Sequence, residues 1–223
     1  MEDLRLKLAS LRPPPGQNDL RLTVSTAPQA PVLSLRQLTQ VRNLINASLD
    51  VIDVTTWTGD ARNAEFICGQ LQLLFENVQE AKQTLKGSQE ITRAWCEDPL
   101  DDEIFEPSCP PNIALHWAVV DAALILYVRI LEPADGPENP ESLTGLGIRD
   151  RLAVAFGAPK VQPHEELGER FDYKGRDVRV KEMSRVESQD PSLLAAMAKL
   201  SALEHSVAMS RTALDTVMCK ELD

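Results

Sequence analysis

Ile113-Ala114-Leu115-His116-Trp117-Ala118-Val119-Val120-Asp121-Ala122-Ala123-Leu124-Ile125-Leu126-Tyr127-Val128-Arg129-Ile130-Leu131 is the stretch on which the fold turns. It is apolar almost all the way round, broken only by His116, Asp121 and Arg129. A membrane span needs roughly 20 apolar residues, and Asp121 near the middle is costly in lipid. The run therefore predicts a buried central helix that needs neighbours on several sides.

Those neighbours announce themselves on both flanks. Upstream, Ser34 is an N-cap with Gln37 at N3 to complete a capping box, and Leu33 and Leu38 occupy the staple positions. Leu38, Val41, Ile45, Leu49 and Ile52 then recur at helical steps, as far as Trp57-Thr58-Gly59. Asp60 is read as the N-cap of a second helix carrying Ile67, Leu71, Leu74, Val78, Ala81 and Leu85, closed by Gly87 at C′. Downstream, Asp190-Pro191 is an N-cap followed by proline at N1. It opens a final helix with Leu193, Leu200, Val207 and Leu214 seven apart, and Ala196, Leu203, Ser210 and Val217 between them. That is a zipper-like seam of three heptads.

Strand signals are shorter. Leu4-Arg5-Leu6-Lys7-Leu8 and Leu20-Arg21-Leu22-Thr23-Val24 alternate around Pro13-Pro14-Pro15-Gly16, and a lone hairpin is marginal in water. Alternation returns between Phe171 and Val186, most clearly at Val178-Arg179-Val180 after a Gly175 turn, and this segment is expected to supply the missing partner. Pro133 to Pro140 read as a linker and Ser142 to Phe156 as a short helix ending at Gly157. The expected fold class is mainly α: an antiparallel bundle of long helices with a small β domain formed by N-terminal and C-terminal-half strands. Residues 34–132 and 190–221 would build the bundle, and 1–33 with 142–189 the discontinuous β domain with its linker and short helix.

Composition agrees with helix packing, since 43% of the 223 residues are hydrophobic but only 4% aromatic, leaving Leu, Val, Ile and Ala to fill the interior. The 23 basic and 34 acidic side chains give a net charge of −11, which repels nucleic-acid phosphates. Lys174, Arg176, Arg179, Lys181 and Arg185 precede the final helix as a basic region precedes a zipper, but a DNA-reading zipper is one continuous helix. Gly175 and Asp190-Pro191 interrupt this one. The four cysteines, Cys68, Cys96, Cys109 and Cys219, show no C-x-x-C spacing, and the Met-Glu-Asp-Leu-Arg-Leu start has neither a basic n-region nor an apolar h-region. A reducing, cytoplasmic location is expected.

No catalytic constellation emerges. The three histidines, His116, His164 and His205, are scattered, and no two Cys or His residues have zinc-ligand spacing. Gly145-Leu146-Gly147 lacks a preceding strand, and Asp150 stands at the third glycine position of a dinucleotide fingerprint. Six carboxylates between Glu97 and Glu106 lack the spacing and central glycine of a calcium loop, and read as a solvated loop. Asn46-Ala47-Ser48 matches a glycan acceptor but falls inside the first predicted helix. The expectation is a non-enzyme with no catalytic, metal or cofactor residues. Its candidate seam or interface is Ile67, Leu71, Leu74 and Val78 with Leu193, Leu200, Leu203, Val207, Leu214 and Val217. A general helical-bundle or coiled-coil adaptor satisfies these features.

Several segments point further. Leu35-Arg36-Gln37-Leu38 through Asn43-Leu44-Ile45-Asn46, Gly69-Gln70-Leu71-Gln72-Leu73-Leu74, Phe105-Glu106-Pro107 before Pro110-Pro111-Asn112, and the Ser188-Gln189-Asp190-Pro191-Ser192-Leu193 entry resemble the Rogdi leucine-zipper family. That family includes the second subunit of the fungal RAVE complex. The resemblance, over roughly residues 4 to 220, implies a helical bundle joined to a small β domain and a role in reassembling the vacuolar proton-pumping ATPase, peripheral sector onto membrane sector. Implied partners are the large RAVE scaffold subunit, a Skp-type adaptor and the pump's peripheral-sector subunits, with recruitment to vacuolar or endosomal membrane through the pump and no transmembrane segment. Family members carry an additional N-terminal stretch with a bundle helix. The bundle here is therefore expected to be one helix short, through truncation or because a partner helix completes it, and poorly soluble alone.

Overall fold

The computed structural model describes residues 4–11, 16, 19–58, 62–88, 94–135, 164, 166 and 168–220. The expected Asp60 cap, the 142–156 helix and the Gly145–Asp150 turn lie outside them. Seven strands are described: β1 (Leu4–Leu6), β2 (Leu20–Val24), β3 (Phe105–Glu106), β4 (Ile113–Val120), β5 (Ala123–Pro133), β6 (Arg170–Tyr173) and β7 (Arg176–Gln189). The helices are α1 (Arg36–Thr58), α2 (Ala64–Lys86), the single turn α3 (Ala94–Glu97) and α4 (Pro191–Lys220). With 47% helix and 28% strand among the described residues, and two antiparallel sheets, the protein is not the mainly-α long-helix bundle expected from the sequence.

The correction centres on Ile113 to Leu131. The run is a β-hairpin, β4 and β5, turning at Asp121 (φ 49°) and Ala122 (φ 58°). Positive φ at both central residues is the type I′ geometry that matches strand twist. A strand buried on both faces reads as a continuous apolar run, indistinguishable by period from a buried helix. Here Ile113, Leu115, Trp117 and Val119 are buried, and so are Ala114 and Val120 on the alternate positions. Asp-Ala also lacks the glycine or asparagine that usually marks such a turn. The overlooked signal was β-branching at Ile113, Val119, Val120, Ile125, Val128 and Ile130, which favours a pleated surface over a helix.

The strands form two sheets, ordered β1-β2-β3 and β4-β5-β7-β6. In the first, Leu4 faces Leu22 and Leu6 faces Leu20, burying one leucine face while Arg5 and Arg21 pair outward. The third strand is Phe105–Glu106, in register with Val24 and Thr23, and not the 171–186 segment. That segment forms β6 and β7 in the other sheet, turning at Lys174 (φ 53°) and Gly175 (φ 73°).

By compactness the chain divides into two units. One comprises Met1–Leu33, Ile91–His116 and Leu126–Val186, the other Ser34–Glu90, Trp117–Ile125 and Glu187–Asp223. The core of the first gathers Trp95, Ala114, Leu131, Phe171, Tyr173, Val178 and Val180, with the Trp95 ring 5.0 Å from Phe171 and 5.7 Å from Tyr173. Within the same unit Cys109 is buried; desolvation and the nearby Asp102 carboxylate push its thiol up to about 12, against the opposing pull of Lys174. It is a structural thiol donating to Ile113 O.

In the second unit the hairpin tip is fastened to the helices by backbone and amide groups. The Asp121 and Ala122 N–H groups donate to Lys86 O (2.7 Å) and Leu85 O (3.0 Å), satisfying carbonyls that a helix end otherwise leaves orphaned. Gln37 does not fold back as a capping-box residue. Its amide accepts from Val119 N–H (2.6 Å) and donates to Val119 O (2.9 Å), acting as a one-residue strand on the exposed edge of β4. Gln37→Glu keeps the acceptor but sets a carboxylate against the Val119 carbonyl. The expected loss is about 2 kcal/mol, read as a lower thermal midpoint, and an unchanged midpoint would contradict the clasp.

Candidate functional site

The helical unit is built on α2. Asn63, and not the expected Asp60, caps it, its side chain accepting from Phe66 N–H at 3.0 Å, and Gly87 N–H returns to Gln83 O at its end, as expected of the C′ glycine. α4 opens as its sequence dictates, with Asp190 Oδ1 accepting from Ser192 and Leu193 N–H at 2.7 and 3.2 Å. Three contacts align α2 with α4: Lys82 with Glu204, Phe75 beneath Arg211 at 5.2 Å, and Cys68 with Asp215 at 3.9 Å. As one member of each pair ascends the other descends, so the helices run antiparallel. Gln40 to Glu80 (2.9 Å) and Thr55 to Gln70 (3.4 Å) set α1 antiparallel to α2 in the same way.

Apolar packing joins all three helices at one end. Val41, Val78, Ala81, Leu85, Val119 and Leu200 form one buried cluster, with Leu38, Leu44, Leu74, Leu193, Ala196 and Met197 around it. On α1 the buried row is Val41, then Ser48, whose hydroxyl donates to Leu44 O at 2.8 Å and so enters the interior satisfied. That bond also seats Ser48 of the Asn46-Ala47-Ser48 triplet within the helix.

Beyond that cluster the helices lean on α2 but leave apolar side chains in water. Ile45 (41% exposed), Leu49 (53%) and Ile52 (46%) follow steps of four and three along one side of α1, rotated from the buried row. On α4, Leu203 (51%) and Val217 (56%) are exposed, whereas Leu200 and Val207 are buried and Leu193 and Leu214 half-buried. Ile67, Leu71 and Leu74, half-buried, sit on the face of α2 between its α1-facing and α4-facing contacts, and Val78 continues that row into the cluster. Helical geometry thus gives a groove with Ile67, Leu71 and Leu74 as floor, Ile45, Leu49 and Ile52 on one wall, and Leu203 and Val217 on the other. A groove of this kind receives the apolar face of another helix. A separate groove of about 540 Å³, lined by Ser34, Arg36, Thr39, Gln40, Asn43, Leu44 and Ala47, opens broadly to solvent along α1.

The sequence placed Ile45, Leu49 and Ile52 in a core stripe; the signal that separates them is the heptad row through Val41, Leu44, Ser48 and Val51, in which a serine disguises a buried position. Sequence reading also missed Gln37 as a strand clasp and Arg129 as half of a buried ion pair. Among the described residues, no group of three or more His, Cys, Asp or Glu side chains is arranged to hold a metal ion. In the acidic stretch Asp101 accepts from Glu103 N–H at 2.9 Å and Asp102 from Lys174 Nζ at 2.7 Å, so these two carboxylates serve the turn and the sheet. The basic run from Lys174 to Arg185 is the β6–β7 turn and strand β7, not a helix. No helix among the described residues is long and apolar enough to cross a membrane.

Among curated proteins no sequence matches the chain. The family profile described as "Rogdi leucine zipper containing protein" matches residues 2–215. That span takes in β1 through most of α4, and with it both compact units, so the chain belongs to the Rogdi leucine-zipper family.

Proposed function

We propose that the chain is a non-catalytic assembly subunit of RAVE type, which helps the detached peripheral sector of the vacuolar proton-pumping ATPase rejoin its membrane sector. The observation that carries this reading is the family match over residues 2–215. The apolar groove over α2 adds the means: a subunit without chemistry of its own acts by holding partners, and an apolar helix from the scaffold subunit would fill this groove. Leucine and isoleucine exposed at 41 to 53% on one helix side favour burial against such a helix. The proposed partners are the large RAVE scaffold, a Skp-type adaptor and the pump's peripheral-sector subunits, met in the cytoplasm and at vacuolar or endosomal membranes.

Affinity purification of the full chain from cells tests the reading. Scaffold and peripheral-sector subunits are expected with the unaltered protein. An Ile45→Glu/Leu49→Glu variant, altered only at exposed positions, is expected to recover at least about tenfold less scaffold. Reproducible absence of pump subunits from an otherwise occupied complex would make the chain a general helical adaptor instead.

A further inference from the structure

The first unit holds an ion pair to which the groove on the helices assigns no role. Arg129 on β5 is 1% exposed and gives Nε and Nη2 to the two carboxylate oxygens of Glu166, each at 2.7 Å. Its guanidinium lies 4.9 Å from the Trp95 ring centre and 5.4 Å from that of Tyr127, and the Tyr127 ring meets His116 at 6.3 Å. His164 precedes Glu166 by two residues. Both its ring nitrogens are buried without a hydrogen-bond partner, although the Lys181 main chain lies beside the ring. Two of the chain's three histidines thus stand at one buried pair, and the third, His205, is exposed on α4.

We propose that His116 and His164 make the Arg129–Glu166 pair a pH-operated latch, closed while both imidazoles are neutral and opened when they take up protons. In the closed state a bidentate guanidinium and carboxylate cancel each other in a site shielded from water. Protonation adds two imidazolium charges to the guanidinium around that single carboxylate. Such a charge excess in a desolvated site is relieved by parting Glu166 from Arg129 and admitting water to the pair.

The charged groups facing each ring set the direction. Burial lowers the His116 pKa from 6.5 and Arg129 adds to it, while Asp98 and Glu166 oppose. Burial likewise lowers that of His164 from 6.5, opposed by Glu166 and by the Lys181 main chain and reinforced by Arg129. Because the folded state resists protonation, the opened chain binds protons first. The stability of the closed latch is therefore complete above pH 6.5, the ordinary histidine value, and falls as the pH drops below it.

Hydrogen exchange of the full chain at about pH 7.5 and about pH 5.5, corrected for intrinsic exchange rates, tests the latch. Amides of 126–132 and 168–173 are expected to lose protection about tenfold or more at the lower pH, the equivalent of one pKa unit. Those of α2 are expected to hold theirs. A His116→Gln/His164→Gln variant is expected to keep the same protection at both values. If that variant does not fold, His164→Gln alone is expected to show a smaller acid loss than the unaltered chain. Equal protection at both pH values in the unaltered chain overturns the proposal. So does an undiminished loss in the folded variant, which would assign the response to other groups.

Discussion

Gly87→Ala is expected to cost about 4 kcal/mol of stability, a large share of what a domain of this size possesses. Gly87 sits at φ 62° and ψ −172°, a region of backbone space essentially confined to glycine. A Cβ there would lie 2.2 Å from Val119 O and 3.2 Å from both Val119 C and Val120 Cα. These are backbone atoms of a strand whose edge is clasped by Gln37, so no flexible side chain can give way. The turn that caps α2 would have to withdraw, freeing the Leu85 and Lys86 carbonyls together. Gly69→Ala is the matched control: it lies on α2 with nothing within 4 Å of the position its new methyl would take, and is expected to stabilise by about 0.5–1 kcal/mol. Urea denaturation reads both, and a Gly87→Ala cost under about 1 kcal/mol would contradict the docking of turn on helix end.

Arg129→Met is expected to be comparably damaging, at about 3–5 kcal/mol, because it strands the Glu166 carboxylate in a site where its side chain is 7% exposed. The cost is that of an uncompensated buried charge and not the net worth of the pair. Arg129→Met/Glu166→Met should therefore recover most of the loss, since apolar replacements of both partners are often neutral or better. A double variant as unstable as the single one would mean that the guanidinium matters through its aromatic stacking on Trp95 and Tyr127 instead. Denaturant unfolding of the four members of the cycle decides between these outcomes.

What the sequence disclosed followed the range of the interactions involved. The entry to α4 was legible because Asp190-Pro191 is a local signal, and the Leu193-Leu200-Val207-Leu214 series because a heptad repeats within one element. The N-terminal strands were legible from alternation, but their third strand is two residues long, too short to carry any period. The central hairpin was hidden by burial on both faces and by a turn made from Asp121 and Ala122. Arg129–Glu166 and Gln37–Val119 join residues 37 and 82 positions apart, which no spacing rule reaches. A lone arginine in an apolar run was still a clue, because burying it demands a partner. Of the groove residues, Ile67, Leu71 and Leu74 on α2 and Leu203 and Val217 on α4 were named from heptad spacing as a candidate seam or interface, whereas periodicity alone did not separate Ile45, Leu49 and Ile52 on α1 from the buried row.

The central claim is that this uncovered groove is where the chain meets its partner, and hydrogen exchange of the purified complex against the isolated chain tests it most directly. Added protection is predicted across 45–52 of α1, 67–74 of α2 and 203–217 of α4, with the first unit little changed. Protection confined to the first unit, with those three helix segments exchanging as they do in the isolated chain, would contradict the account.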